Sequence, residues 1–115
     1  MSQQLIVLTT HEASYDDPIV LRAGETVVLS GRTDIWDGYT WIWATAKDGR
    51  EGWIPDTLIE VHDGEVIARE DYSAVELTCF VGDVLTGLKS TNGWVWCLND
   101  SGISGWVPSR NLKNK

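Results

Sequence analysis

The chain has 115 residues, seven of which are tryptophan, and a net charge of −8 from 17 acidic and 9 basic side chains. This acidic balance argues against nucleic acid and anionic membranes as partners, because both are bound by basic side chains that neutralise phosphate groups. No apolar run approaches the roughly 20 residues of a membrane-spanning helix, and the apolar residues 5–8 are too few for a secretion signal. We therefore expect a cytoplasmic protein, with basic partners mildly favoured.

Short β-forming segments separated by turn residues make up the first half of the chain. In chain order, the segments are residues 4–8, 19–21, 26–29, 41–44, 53–54 and 58–61. Residues 30–39 carry two glycines and three charges and predict a loop, whereas the Asp-Gly pair within residues 47–50 predicts a hairpin turn. Because no helical period persists for two turns, we predict an all-β fold.

The two halves of the chain carry the same tryptophan-rich pattern. The sequences W-I-W-A at 41–44 and G-W-I-P at 52–55 return as W-V-W-C at 94–97 and G-W-V-P at 105–108. Six of the seven tryptophans occupy matching positions in the two copies. Self-similarity of this kind indicates an internal repeat.

The repeat predicts two domains, residues 1–61 and residues 62–115. Between them, residues 61–65 would form a linker that spans only about 12 Å if it is flexible. The copies differ in the lengths of two loops, while the segments around the tryptophans keep their spacing. This is the behaviour of loops that connect the strands of a fixed scaffold.

Both cysteines fall in the second copy, where Cys79 and Cys97 take the places of Leu21 and Ala44. Because the replaced residues are small or apolar, we predict that both cysteines are buried free thiols. A disulfide between them is the alternative, although cytoplasmic proteins rarely keep one.

The second half of the chain resembles an SH3 domain in four consecutive motifs. They are A-R-E-D-Y at 68–72, E-L-T-C-F-V-G-D at 76–83, W-V-W-C at 94–97 and G-W-V-P-S-R-N-L at 105–112. The first half matches the same series more loosely. As an ordered set, the motifs imply two small SH3-like five-stranded barrels in tandem, each partly open.

The resemblance also implies where the loops that border the ligand groove of SH3 domains would lie. The RT loops would span residues 13–18 and 74–76, and the n-Src loops residues 30–40 and 88–93. In the family, aromatic side chains on one face accept the prolines of a polyproline II peptide, which is stiff before it binds. Acidic residues of the RT loop pair with an arginine or lysine of the ligand.

The positions that match the family's groove give the candidate peptide-binding residues. They are Tyr72, Trp94, Trp106 and Pro108 in the second unit and Trp41, Trp53, Pro55, Asp16 and Asp17 in the first. The family's tyrosines are replaced by Glu70 and Asn111 in the second unit, and by Thr9, His11 and Leu58 in the first. We therefore expect grooves that depart from the family's pattern, with Trp94, Tyr72 and Pro108 as the best-formed part.

The sequence offers no arrangement for catalysis, for a cofactor or for a metal ion. His11 and His62 have neither a paired nucleophile nor metal-ligand spacing around them, and we expect them to be polar surface residues. Asp16 and Asp17 lack the further oxygen ligands that calcium needs, and no glycine-rich phosphate loop is present. We predict that the protein is not an enzyme.

Two non-enzymatic functions follow from these observations. The first is an adaptor whose aromatic grooves bind a protein or peptide partner, either proline-rich or basic. The second is a structural or assembly module whose aromatic faces pack domain against domain or, by self-association, copy against copy. Trp36 and Tyr39, in the predicted loop, would serve either as a binding surface or in that packing. Resemblance to bacterial SH3 domains that bind cell-wall peptides is disfavoured, because those usually accompany a hydrolase and a secretion signal.

Overall fold

The computed structural model describes residues 2–14 and 17–115. Over these residues the fold is all-β, as predicted, with twelve strands and two short 3-10 helices, Asp56–Leu58 and Ser109–Asn111. The strands are β1 (Gln3–Val7), β2 (Val20–Leu21), β3 (Val28–Trp36), β4 (Tyr39–Thr45), β5 (Glu51–Pro55), β6 (Ile59–His62), β7 (Glu65–Ala68), β8 (Tyr72–Ser73), β9 (Val84–Thr91), β10 (Trp94–Leu98), β11 (Ser104–Pro108) and β12 (Leu112–Asn114). Within the described part of the chain, no helix is long and apolar enough to cross a membrane.

The chain forms two compact units, and only one of them is continuous in sequence. The continuous unit consists of residues 17–74, and the discontinuous unit combines residues 2–14 with residues 75–115. The N-terminal strand therefore belongs to the same unit as the C-terminal third of the chain.

The discontinuous unit is built on one five-stranded antiparallel sheet in the order β11-β10-β9-β1-β12. β1 lies between β9 and β12, so that Leu5 is paired with Leu85 on one side and with Asn114 on the other. Alternate residues of the strands face the interior, as expected for a half-buried sheet. The buried cluster comprises Leu5, Val7, Leu77, Cys79, Leu85, Cys97 and Val107.

The continuous unit contains the sheet β3-β4-β5 and the strand pairs β6–β7 and β2–β8. Further backbone hydrogen bonds tie β7 into this unit: Gly24 donates to Ala68, and Val27 donates to Val66. The buried apolar residues of the unit include Ile19, Leu21, Val27, Ala44, Ile54, Leu58 and Ala68. Each unit thus has its own core.

The boundary predicted between residues 61 and 62 falls inside a β-hairpin. β6 and β7 pair directly, with His62 opposite Glu65, and the predicted linker is the turn between them. Asp63 and Gly64 both have positive φ, 52° and 81°, which is the conformation of the two-residue turns that match the twist of a hairpin. The linker prediction was wrong because an Asp-Gly pair forms a tight hairpin turn as readily as it occurs in a flexible linker.

The two predicted n-Src loops are also mostly strand. β3 and β4 meet at Asp37-Gly38, and β9 and β10 meet at Asn92-Gly93, and all four residues have positive φ. Because a two-residue turn suffices, the strands extend through most of residues 30–40 and 88–93. The hairpin predicted at residues 47–50 is confirmed: Ala46 donates a backbone hydrogen bond to Arg50, and Gly49 donates one to Ala46.

Candidate functional site

Three tryptophans of the continuous unit, Trp41, Trp43 and Trp53, lie on the face of the sheet opposite the core. In the β4–β5 ladder, Trp41 is paired with Pro55 and Trp43 with Trp53. Ala44, the neighbour of Trp43 in the strand, has 0% of its surface exposed. Since successive side chains of a strand point to opposite faces, the three rings lie on the outer face, where all three are half-buried.

The discontinuous unit repeats this arrangement. Trp94 is paired with Pro108 and Trp96 with Trp106, while Cys97, which follows Trp96 in the strand, is fully buried in the core. Trp94 and Trp96 are half-buried. Both units therefore present a Trp-Pro pair at one end of the β-ladder and a Trp-Trp pair next to it.

The Trp-Trp pairs are packed within their own units. The rings of Trp43 and Trp53 meet edge to face at 5.2 Å and 76°, and those of Trp96 and Trp106 at 5.1 Å and 75°. Pairs of this geometry contribute about 0.5–1.5 kcal/mol beyond the area they bury. Of the candidate peptide-binding residues, Trp53 and Trp106 therefore stabilise the pairing of neighbouring strands. Trp106 has only 5% of its surface exposed.

A basic side chain covers each Trp-Trp pair. The Arg32 guanidinium lies 5.2 Å from the ring of Trp43 and 5.4 Å from that of Trp53. In the other unit, the Lys89 ammonium lies 5.8 Å from the ring of Trp106. A cation over an aromatic face is attracted by the ring's quadrupole. These contacts occupy part of the ring surface that a ligand would otherwise reach.

Tyr72 belongs to the continuous unit, whereas Trp94 and Pro108 belong to the discontinuous unit. Tyr72 is paired with Leu21, is 9% exposed, and its hydroxyl donates a hydrogen bond to the Trp53 carbonyl oxygen at 3.3 Å. This assignment follows because β7 and β8 are part of the unit formed by residues 17–74.

His11 takes the equivalent place in the discontinuous unit. Its backbone is paired with Cys79, as Tyr72 is with Leu21, and its ring lies edge to face with Trp94 at 5.5 Å. Its Nε2 lies 2.8 Å from Glu76 Oε1, with the two side chains 13% and 11% exposed. Glu76 also accepts a weaker hydrogen bond from Ser14, at 3.4 Å.

His11 is therefore a partly buried groove residue, and its prediction as polar surface was wrong. The contact with Glu76 was missed because the two residues are 65 positions apart. A usable signal existed in the repeat, since His11 and Tyr72 occupy matching positions in the two copies. His62, by contrast, has 70% of its side chain exposed, as expected.

Of the two acids Asp16 and Asp17 proposed for the first RT loop, the structure describes Asp17, because Asp16 lies outside the described residues. The Asp17 carboxylate is 79% exposed and lies 3.6 Å from the Arg50 guanidinium. Arg50 also contacts Asp48 at 3.0 Å, and the backbone N–H of Arg50 is the main cause that lowers the pKa of Asp48. A cationic ligand at Asp17 would therefore compete with Arg50.

The two thiols are free and buried, as predicted. Burial raises the pKa of Cys79, and it raises that of Cys97 to about 12. Both lie in the core of the discontinuous unit and away from the Trp-Pro pair. Among residues 2–14 and 17–115, no group of three or more His, Cys, Asp or Glu side chains is placed to hold a metal ion.

Comparison with protein-family models matches residues 5–62 to the family described as Variant SH3 domain. This match spans half of the chain. The chain belongs to the variant SH3 domain family. Domains of this family are generally non-catalytic and bind protein or peptide ligands, so the chain is a protein-interaction module. No significant match was found among curated proteins or among solved structures.

The matched stretch does not coincide with either structural unit. It starts in β1, which lies in the discontinuous unit, and ends in β6, which lies in the continuous unit. The match is therefore divided between the two units: β1 is paired with β9 and β12, whereas β6 is paired with β7.

Proposed function

We propose that this protein is a tandem SH3-like adaptor that binds an extended peptide, with its main site at Trp41, Pro55 and Tyr72 of the continuous unit. The observation that carries the proposal is the placement of Tyr72. Strand β8 supplies this unit with a tyrosine whose hydroxyl donates a hydrogen bond to the Trp53 carbonyl oxygen. In the same unit the half-buried Trp41 is paired with the buried Pro55.

The charge distribution supports a basic ligand at this unit. Residues 17–74 contain twelve acidic and five basic side chains, a net charge of −7, whereas residues 1–16 with 75–115 contain five and four, a net charge of −1. A strongly acidic surface raises the local concentration of cationic partners and speeds their association. The favoured ligand is therefore a proline-rich segment that carries arginine or lysine.

The discontinuous unit has a different groove chemistry. There the tyrosine is replaced by His11, which contacts both Trp94 and Glu76. A carboxylate already engaged by a histidine has less capacity to bind a ligand cation. We assign this unit a weaker or different peptide preference.

Titration of the whole chain with an arginine-flanked proline-rich peptide tests the proposal, because the seven indole N–H signals report on each tryptophan in NMR spectra. We expect the Trp41 signal to shift first and Trp41→Ala to weaken binding by roughly tenfold or more, about 1.4 kcal/mol. Trp94→Ala, at the matched position of the other unit, should weaken binding less. If Trp94→Ala has the larger effect, the main site has been assigned to the wrong unit.

A second candidate, self-assembly, is favoured by the tip of the β3–β4 hairpin. β3 is an edge of its three-stranded sheet, and at the hairpin tip Ile35 of β3 is 71% exposed and Tyr39 of β4 is 45% exposed. Exposed apolar residues on an edge strand are typical of interaction surfaces. If this surface joins two copies, Ile35→Ser/Tyr39→Ser should lower the mass measured by light scattering, while peptide binding at Trp41 is kept.

A further inference from the structure

β1 lies between two strands, β9 and β12, that are both remote from it in sequence. On one side it runs against β9, from Gln3 opposite Gly87 to Ile6 opposite Val84. On the other it runs against β12, with Val7 opposite Leu112. The ladder continues beyond β1 at His11, which exchanges two backbone hydrogen bonds with Cys79, at 2.8 and 2.9 Å.

The same segment completes the core of the discontinuous unit. Leu5 is 6% exposed and Val7 is 1% exposed, and both belong to the cluster that contains Leu85 and Cys97. Removing apolar side chains of this size from water is a main source of stability in a small core. Without β1, the unit would expose two strand edges and an open apolar core.

No short connection holds β1 in this place. The chain that follows it enters the continuous unit at residue 17 and returns to the discontinuous unit only at residue 75. The partners of β1 are residues 84–87 and 112–114, which follow the whole continuous unit in sequence. The space between β9 and β12 that β1 fills is called the β1 slot. β1 is held in the β1 slot by its contacts with these strands and not by a hairpin loop.

The β1 slot can bind a strand of suitable sequence whether the strand belongs to the same molecule or to another. Addition of an extended segment to strand edges is a general mode of binding, in which the backbone supplies affinity and alternate side chains supply specificity. The N-terminal residues 2–14 contain one acidic side chain and no lysine or arginine, so two copies of the segment hardly repel each other. The ideal occupant is the same segment of another molecule.

We propose that the β1 slot accepts the N-terminal strand of a second copy of this chain, so that two copies exchange residues 3–11 reciprocally and form a dimer. The interface is isologous, because each copy donates the same strand and offers the same slot. Closure within one molecule is favoured at low concentration, since a tether holds β1 at an effective concentration up to the millimolar range. Exchange between molecules therefore dominates when chains fold together at high concentration or when the internal strand is defective.

Two full-length variants test the exchange without fragments. Val7→Asp damages the strand and leaves the slot and both cysteines intact. Cys79→Ser/Cys97→Asp damages the slot, leaves the strand intact and removes both thiols of that chain. In the mixture, every thiol signal therefore comes from the slot of the Val7→Asp chain.

Labelling by a thiol reagent should be fast for Val7→Asp alone and should slow by at least about tenfold, or 1.4 kcal/mol, when the second variant is added. A matched control that also carries Val7→Asp in the second chain should give no protection. The proposal is overturned if Val7→Asp alone is already protected, or if the intact strand of the second variant protects no better than the control strand.

A measurement on the unaltered chain covers the case in which Val7→Asp does not fold. Isotopically heavy and light chains are unfolded together, refolded at high concentration and diluted, and the masses are read by native mass spectrometry. Mixed heavy–light dimers support the exchange. Exclusively monomeric protein at every refolding concentration rejects it. Dimers that form equally well when separately folded heavy and light chains are mixed are surface associations, and this outcome also rejects the exchange.

Discussion

The Tyr72 hydroxyl donates a hydrogen bond to the backbone carbonyl of Trp53 across 3.3 Å. This contact joins β8 to β5 within the continuous unit. In the discontinuous unit, His11 is paired with Cys79 as Tyr72 is with Leu21.

Tyr72→Phe should separate the hydroxyl from the ring. We expect a loss of about 0.5–1.5 kcal/mol in the unfolding free energy, the usual net value of one hydrogen bond. Tyr72→Ala should cost about 3–5 kcal/mol, because it also empties the buried ring position. Urea unfolding followed by tryptophan fluorescence measures both. Equal losses for the two variants would show that the ring contributes nothing to stability.

The matched glycines Gly52 and Gly105 should respond differently to alanine. A Cβ on Gly105 would lie 2.7 Å from the backbone of Glu76 and Leu77, whereas one on Gly52 would meet mainly the Ile19 side chain, at 2.9 Å. Backbone cannot move aside as a methyl group can. We expect Gly105→Ala to cost about 1–3 kcal/mol, in the range for overpacking, and Gly52→Ala to cost less. Thermal unfolding of the two variants side by side decides the order.

The buried thiols should make the discontinuous unit sensitive to alkali. The pKa of Cys97 is raised from 9.0 to about 12 and that of Cys79 is raised as well, in both cases mainly by burial. The unfolded chain therefore releases these protons at lower pH than the folded chain, so stability is full below pH 9 and falls as the pH rises toward 12. Denaturation series at increasing pH should show the decline, and Cys79→Ala/Cys97→Ala should make it shallower. An unchanged slope in that variant would assign the sensitivity to other groups.

The turn at Asp63-Gly64 should be required for the β6–β7 hairpin. Gly64 has φ of 81°, and forcing a side chain into this region costs about 1–3 kcal/mol. We therefore expect Gly64→Ala to destabilise the continuous unit by that amount. Asp63→Asn preserves a favoured turn pair and should leave the stability unchanged, which makes it the matched control. Calorimetry of both variants provides the measurement.

The continuous unit should fold without the rest of the chain. Residues 17–74 contain β2 through β8 and their own buried residues, so a fragment with these ends should give a dispersed NMR spectrum. The stretch 5–62, which matches the family model, lacks β7 and should not reproduce that spectrum. If the 5–62 fragment alone folds stably, the division of this stretch between the two units is not obligatory.

The local patterns of the sequence predicted the local structure well. Alternation around Trp41 and Trp94 gave the strands, and the Asp48-Gly49 pair gave the correct hairpin. The prediction of two buried thiols followed from the apolar residues at the matching positions Leu21 and Ala44. These inferences depend only on neighbours in the same strand or in the other copy of the repeat.

The placement of β1 and β7 in their units could not be predicted in this way. Leu5 and Val7 in β1 have the same alternation as Val66 and Ala68 in β7, so either strand fits either unit by its pattern. Which one enters which unit is decided by competition between distant pairings, and the Asp63-Gly64 turn favours the hairpin between β6 and β7. For the same reason, local patterns did not show that Tyr72 and Trp94 belong to different units.

The position of β1 also sets the order in which the protein can be completed on the ribosome. The continuous unit is fully synthesised at residue 74, whereas β1 has to wait for β12, about 100 residues after it leaves the tunnel. At typical translation rates of 5–20 residues per second, this delay is roughly 5–20 s. Until β9 follows, at residues 84–91, Leu5 and Val7 have no partner strand of their own unit, and the edge of β1 that pairs with β12 stays open to the end of this delay. During synthesis β1 is consequently open to chaperones and to neighbouring nascent chains.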